Sequence, residues 1–137
     1  MALNNLGVIQ LEKGDVGDAI EKYQQSLRLN PDYPEAHYNL GTALLHQGQI
    51  DDAIHECELA LKLLPNEPDA HVVLGNAFLA REDLDQAIRE YAKALTIRPD
   101  DSIAHYNLGL TLQKKGETDR AAREFEKASE LDQRQKR

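Results

Sequence analysis

Pro31, Pro65 and Pro99 stand 34 residues apart, and Pro34 and Pro68 keep the same interval. A fixed period of about 20–50 residues marks a repeat architecture, in which each unit buries its apolar face only by stacking on its neighbours. Four such units, at about 1–33, 34–67, 68–101 and 102–137, fill the 137-residue chain as a single domain. Other residues keep the step. Leu6, Leu40, Leu74 and Leu108 each precede a glycine, and Ala19, Ala53, Ala87 and Ala121 recur twelve residues beyond it. A ring or a cysteine follows four residues later (Tyr23, Cys57, Tyr91, Phe125), then three residues on a small side chain (Ser26, Ala60, Ala94, Ala128).

Within each unit the apolar positions follow a helical period, as in Leu40, Leu44 and Leu45, then Ile50, Ile54 and Leu61. Two helices per unit follow, predicted at 2–13, 16–29, 35–47, 50–63, 69–81, 84–97, 102–115 and 118–134. Gly14, Gly48 and Gly116 sit between the halves and suit the left-handed backbone that ends a helix. The third unit has Glu82 there. A left-handed glutamate costs on the order of 1 kcal/mol. Pro31, Pro65 and Pro99 end the second helices, because proline lacks an amide hydrogen and disfavours helix in the residue before it. Pro34 and Pro68 suit a first helical turn.

Composition removes several function classes. Hydrophobic residues are 41% and charged residues 29%, proportions that fit neither disorder nor a membrane protein. No apolar run approaches the ~20 residues that span a bilayer, and no signal pattern follows Met1, so nothing in the sequence addresses it out of the cytoplasm. The net charge of -8 argues against nucleic acid, whose phosphates need Lys and Arg gathered on one face. Cys57 is alone and stands where sister units place a ring, which makes it a small buried hydrophobe.

The segments HYNLGTALLHQGQIDDAIHECELALKLLP, HVVLGNAFLAREDLDQAIREYAKALTIRP and HYNLGLTLQKKGETDRAAREFEKASELD carry a resemblance that covers the whole chain. It resembles a tetratricopeptide repeat protein, with Leu3, His37, His71 and His105 where the family often has Trp. The resemblance implies an all-α, right-handed superhelical solenoid of antiparallel helix pairs that binds a protein segment in its concave face.

Few residues suggest chemistry. His37, His71 and His105 each lie one unit from the next, at least a helix-packing distance of about 8–10 Å, whereas ligands of one ion lie within ~2–2.6 Å of it. These rings are expected to pack between helices with one polar edge wet, and no metal or cofactor is expected. Asp51–Asp52 and Asp100–Asp101 begin helices, where capping and the helix dipole account for them. No serine lies in a nucleophile elbow and no glycine-rich phosphate loop occurs, so the chain is not expected to be an enzyme.

The concave surface remains. If the first helices line it, as the resemblance implies, the binding groove is built from Asn5; from Tyr38, Asn39, Thr42 and Leu45; from Val72, Asn76 and Leu79; and from Tyr106, Asn107 and Leu110. Asn5, Asn39 and Asn107 share one register, interrupted by Val73, with Asn76 one turn further along. A side-chain amide both donates and accepts, so it can satisfy an extended peptide backbone without choosing its sequence. Asparagines here can equally bond neighbouring helices and stiffen the stack; both readings stand. In relatives that bind acidic chaperone tails, a clamp of Lys, Arg and Asn holds the carboxylate. This chain has Asn4 and Asn39 at two of those places but Asp69 and Val73 where the clamp needs cations, and Glu12, Glu35 and Asp69 are expected to face the groove with Lys114 alone as an opposing charge. The expected partner is therefore a neutral to basic protein segment. The asparagine register is similar to that in the superhelical arm of O-linked N-acetylglucosamine transferase, which implies a substrate-holding arm and no catalytic domain.

At the last unit Thr118, Ala122 and Ser129 replace Ile50, Ile54 and Leu61 of the second, and Gln133 replaces the proline, a pattern expected of a cap. Met1 lies nearly at the first helical residue, which suggests a fragment of a longer array or an excised domain. The leading functional expectation is a peptide-binding scaffold. Two others follow: a self-associating homo-oligomeric scaffold, and a substrate-presenting or regulatory domain of a larger enzyme such as a glycosyltransferase.

Overall fold

The computed structural model describes residues 1–136. They form eight α-helices and no strand: α1 (Ala2–Glu12), α2 (Val16–Leu29), α3 (Pro34–His46), α4 (Ile50–Leu63), α5 (Pro68–Ala80), α6 (Leu84–Ile97), α7 (Ser102–Lys115) and α8 (Thr118–Gln135). No described helix is long and apolar enough to cross a membrane. The helices fall into two compact units, Met1–Pro65 with α1 to α4, and a second from Asn66 with α5 to α8. Within each unit every helix packs on the next, and the two first helices also touch, α1 with α3 and α5 with α7.

Glycine and proline set the boundaries as their backbones require. Each first helix ends on a left-handed residue, with φ of 86° at Gly14, 78° at Gly48, 91° at Gly116 and 66° at Glu82. The same bonds close all four turns: Asp15 N donates to Gln10 O, Gln49 N to Leu44 O, Asp83 N to Phe78 O and Glu117 N to Leu112 O, each at 2.9 Å. Glu82 therefore adopts the glycine conformation because the turn imposes it. The residues before Pro31, Pro65 and Pro99 are forced out of the helical region, with φ/ψ of -145°/91° at Asn30, -134°/91° at Leu64 and -131°/85° at Arg98. Without a proline at 133, α8 runs on to Gln135. Pro34 and Pro68 are themselves the first helical residues, one earlier than the spacing predicts. Asp101 caps α7 by accepting from Ala104 N at 3.1 Å, while Asp51 and Asp52 stand in the first turn of α4.

Each unit has its own core. In the first, Ala19, Tyr23, Leu40, Ala43, Leu44 and Ala53 pack together, with Val8, Leu11, Ile20 and Leu27 around them. In the second, Val72, Tyr91, Ala94, Ala104, Leu108 and Leu112 do the same, ringed by Phe78, Ile88 and Leu95. A fully buried leucine such as Leu112 contributes about 1.5–3 kcal/mol. The recurrent glycine of the first helix makes room for the recurrent ring. A Cβ on Gly7 would stand 2.5 Å from Tyr23, one on Gly75 2.6 Å from Tyr91, and one on Gly109 2.7 Å from Phe125. Cys57, at the ring position of the second repeat, is buried.

Candidate functional site

The first helices of each unit are tied by a pair of asparagines. Asn39 on α3 donates its Nδ2 to Asn4 Oδ1 on α1 at 3.1 Å, and Asn107 on α7 donates to Asn76 Oδ1 on α5 at 3.0 Å. The bonded pairs are 35 and 31 residues apart, so a strict 34-residue register misses them. Asn5, which does keep that register with Asn39, stands exposed; Asn4 beside it is fully buried. Asn39 and Asn107 are half-buried, and each retains one amide hydrogen and its Oδ1 beyond the bond that holds it.

Asn76 also accepts from Tyr91 Oη at 2.6 Å. Tyr23, the counterpart of Tyr91 two repeats earlier, finds Val8 at the place of Asn76, and its hydroxyl is buried without a partner. Asn4 Nδ2 is the second such atom. Burial pushes the Tyr23 phenol up to about 12, with Glu12 and Glu35 adding to the rise by opposing the phenolate's charge. Burial raises Tyr91 as well.

Other candidate groove residues separate. Val72 lies in the core of the second unit, and Leu45 and Leu79 are partly buried against the cores of their units. Thr42 turns its hydroxyl onto Tyr38 O at 3.3 Å. Tyr38 and Leu110 are half-buried. Tyr106 meets Phe125 on α8, ring centroids 5.5 Å apart, and is 51% exposed. The acidic balance also changes. Arg98 at the end of α6 bonds Asp69, and Asp101 at 2.9 Å, so the Asp69 charge is matched within the second unit. Those carboxylates, Asp69 first, raise the Arg98 guanidinium further above its usual range. Lys115 pairs with Asp85 at 2.7 Å, which raises the ammonium and lowers the carboxyl.

The histidines are clasps between elements. His37 Nδ1 meets Glu56 Oε1 at 2.9 Å and its Nε2 meets Pro31 O at 2.7 Å. His105 repeats this with Glu124 at 2.6 Å and Pro99 O at 2.8 Å, and His71 meets Glu90 at 2.8 Å. Both nitrogens of His37 and of His105 are engaged, in place of the expected wet edge. The signal was present: Glu56, Glu90 and Glu124 keep the 34-residue step, and the repeat without histidine has Leu3 and Lys22 at the two places. Among the described residues no group of three or more His, Cys, Asp or Glu could hold a metal ion.

Comparison with known proteins agrees with this architecture. No curated protein matches the chain by sequence. Among solved structures it is similar to MamA, at 31% identity and a TM-score of 0.81 over 97% of this chain and 78% of that one. It is also similar to TTC0263, a thermophilic TPR protein of Thermus thermophilus, at 25% identity and a TM-score of 0.90 over 95% of this chain and 73% of that one. The first TPR of Spaghetti (RPAP3), bound to the HSP90 peptide SRMEEVD, shares the fold at 23% identity, with a TM-score of 0.78 over 84% of this chain and 91% of that one. A family profile described as TPR repeat matches residues 7–48 and 75–116, and one described as Tetratricopeptide repeat matches 34–67 and 102–134. With four helix pairs in register and profiles matching along most of its length, the chain belongs to the tetratricopeptide repeat family.

Proposed function

We propose that the chain is a protein-interaction scaffold, each unit of which can hold an extended segment of a partner against its first helices. The observation that carries this reading is the orientation of Asn39 and Asn107. Each is fixed by one bond to the neighbouring first helix and keeps a donor and an acceptor for a ligand. A peptide strand presents such groups along its backbone whatever its side chains, and flanking contact from Tyr38 and Leu110 adds apolar area. The same fold holds a peptide in the first TPR of Spaghetti. In the first unit Glu12 and Glu35 favour a neutral to basic segment.

One amide bond contributes about 0.5–1.5 kcal/mol net, so several of them with modest apolar contact give a Kd that is roughly micromolar. Panning a random peptide library against the chain and measuring the enriched peptides by fluorescence anisotropy tests this. Asn39→Ala with Asn107→Ala should weaken binding at least several-fold while helix content and melting stay close to the parent. Peptides whose affinity is unchanged in that double variant would move the binding surface elsewhere.

A further inference from the structure

Building on the scaffold function, on which this inference rests, we propose that Glu35 makes the first unit select a partner segment carrying a lysine or arginine beside the residue held at Asn39. Glu35 and Asn39 are one helical turn apart on α3 and so share a face, as Ile103 and Asn107 do on α7. Position 35 recurs as Asp69 and Ile103 in the next two repeats. These residues differ in what they leave for a ligand. Asp69 is matched by Arg98, and Ile103 has no charge. Glu35 is exposed and makes no ion pair among the described residues.

The Glu35 charge acts on the seam between α1 and α3. Burial, then Glu12 and Glu35, raise the Tyr23 phenol; burial and Glu35 raise that of Tyr33, where the Asn4 side chain opposes them. The Tyr23 hydroxyl is an independent mark of the same place. In the second unit Tyr91 delivers its hydroxyl to Asn76, the residue that Asn107 bonds. In the first unit the corresponding hydroxyl is buried without a partner, a donor whose desolvation a peptide carbonyl would offset. Tyr38, three residues beyond Glu35, offers a half-buried ring to the aliphatic stem of the incoming cation. The wider field has the same sign. No Lys or Arg occurs in α1 or α3, and acids outnumber Lys and Arg more than two to one from Met1 to Pro65, whereas the two are near balance from Asn66 on. Such a field draws a basic segment to the first unit and repels an acidic one.

Peptides panned from a random library on the full chain should be enriched in Lys and Arg. By fluorescence anisotropy, Glu35→Gln should bind those peptides about two- to fivefold more weakly than the parent, the range of an exposed ion pair, and high salt should narrow the difference. A first-turn glutamate also stabilises its own helix, so the deciding readout is charge exchange. Glu35→Lys should lose the basic peptide, and the same peptide with its Lys changed to Glu should bind Glu35→Lys more tightly than it binds the parent. Circular dichroism checks that both variants are folded. Peptides that need Asn39 yet lack Lys and Arg, bind parent and Glu35→Gln equally, or show no recovery on charge exchange overturn this inference and leave the scaffold function standing. A chain that enriches no peptide overturns both.

Discussion

Glu82 holds φ at 66° in a turn whose three counterparts are glycines, and its backbone makes the same closing bonds as theirs. The strain of a side chain in the left-handed region is roughly 1–2 kcal/mol. Part of it is recovered in the unfolded state, where glycine is freer. Glu82→Gly should therefore stabilise the chain by about 0.5–1 kcal/mol, read as a higher urea midpoint at unchanged slope; an unchanged or lower midpoint would show that the turn carries no strain there. This residue was legible because its conformation follows from its place in the period. The amide pairs were not, because a first helix meets the next one through residues 35 or 31 apart. Nor was the partnerless Tyr23 hydroxyl, which depends on Val8 and Asn76 exchanging polarity at one position two repeats apart.

Between elements, the His–Glu contacts fasten each histidine-bearing first helix to its own second helix. His71 and Glu90 are the most enclosed pair, with side chains 9% and 7% exposed. Lys93 also reaches Glu90, at 2.9 Å, from the surface. Removing one member of a buried hydrogen-bonded pair leaves the other short of a partner, at a cost of about 1–3 kcal/mol, whereas replacing both with apolar side chains is often tolerated. Because Lys93 still reaches Glu90, His71→Ala should cost roughly 1–2 kcal/mol in urea unfolding, and His71→Leu with Glu90→Leu should recover more than half of it. Strictly additive losses would mean that the two side chains do not depend on each other. Helix boundaries were readable to within one residue or so, since proline and glycine act locally. The clasps needed a comparison across repeats, because a partner 19 residues away lies on another helix and outside every short-range spacing rule.

At the scale of the molecule, each unit encloses one tyrosine of the recurrent ring position, Tyr23 in the first and Tyr91 in the second, and both phenols are raised by burial. The all-α architecture was legible from the period and the family from the repeated segments that carry the resemblance; the consequences for stability were not, because they depend on which ring keeps a hydroxyl out of water. Tyr23 loses its proton near the usual phenol value of about 10 when unfolded and only at about 12 when folded. The folded state thus binds more protons between these values, and stability falls as pH rises through that window. Below the unfolded value the contribution is fully present, and above the folded value it is gone. The separation between those two values corresponds to a loss on the order of 2–3 kcal/mol. Lysines titrate in the same range, so the comparison is with Tyr23→Phe, for which Phe125 is the precedent within the chain. That variant removes a buried hydroxyl without a partner and should match or exceed the parent at neutral pH. Urea unfolding from neutral pH to above about 12 should find the gap between variant and parent constant up to about 10 and widening beyond it. A gap that stays level across the window would mean that the Tyr23 hydroxyl ionises as readily in the folded chain as in the unfolded one.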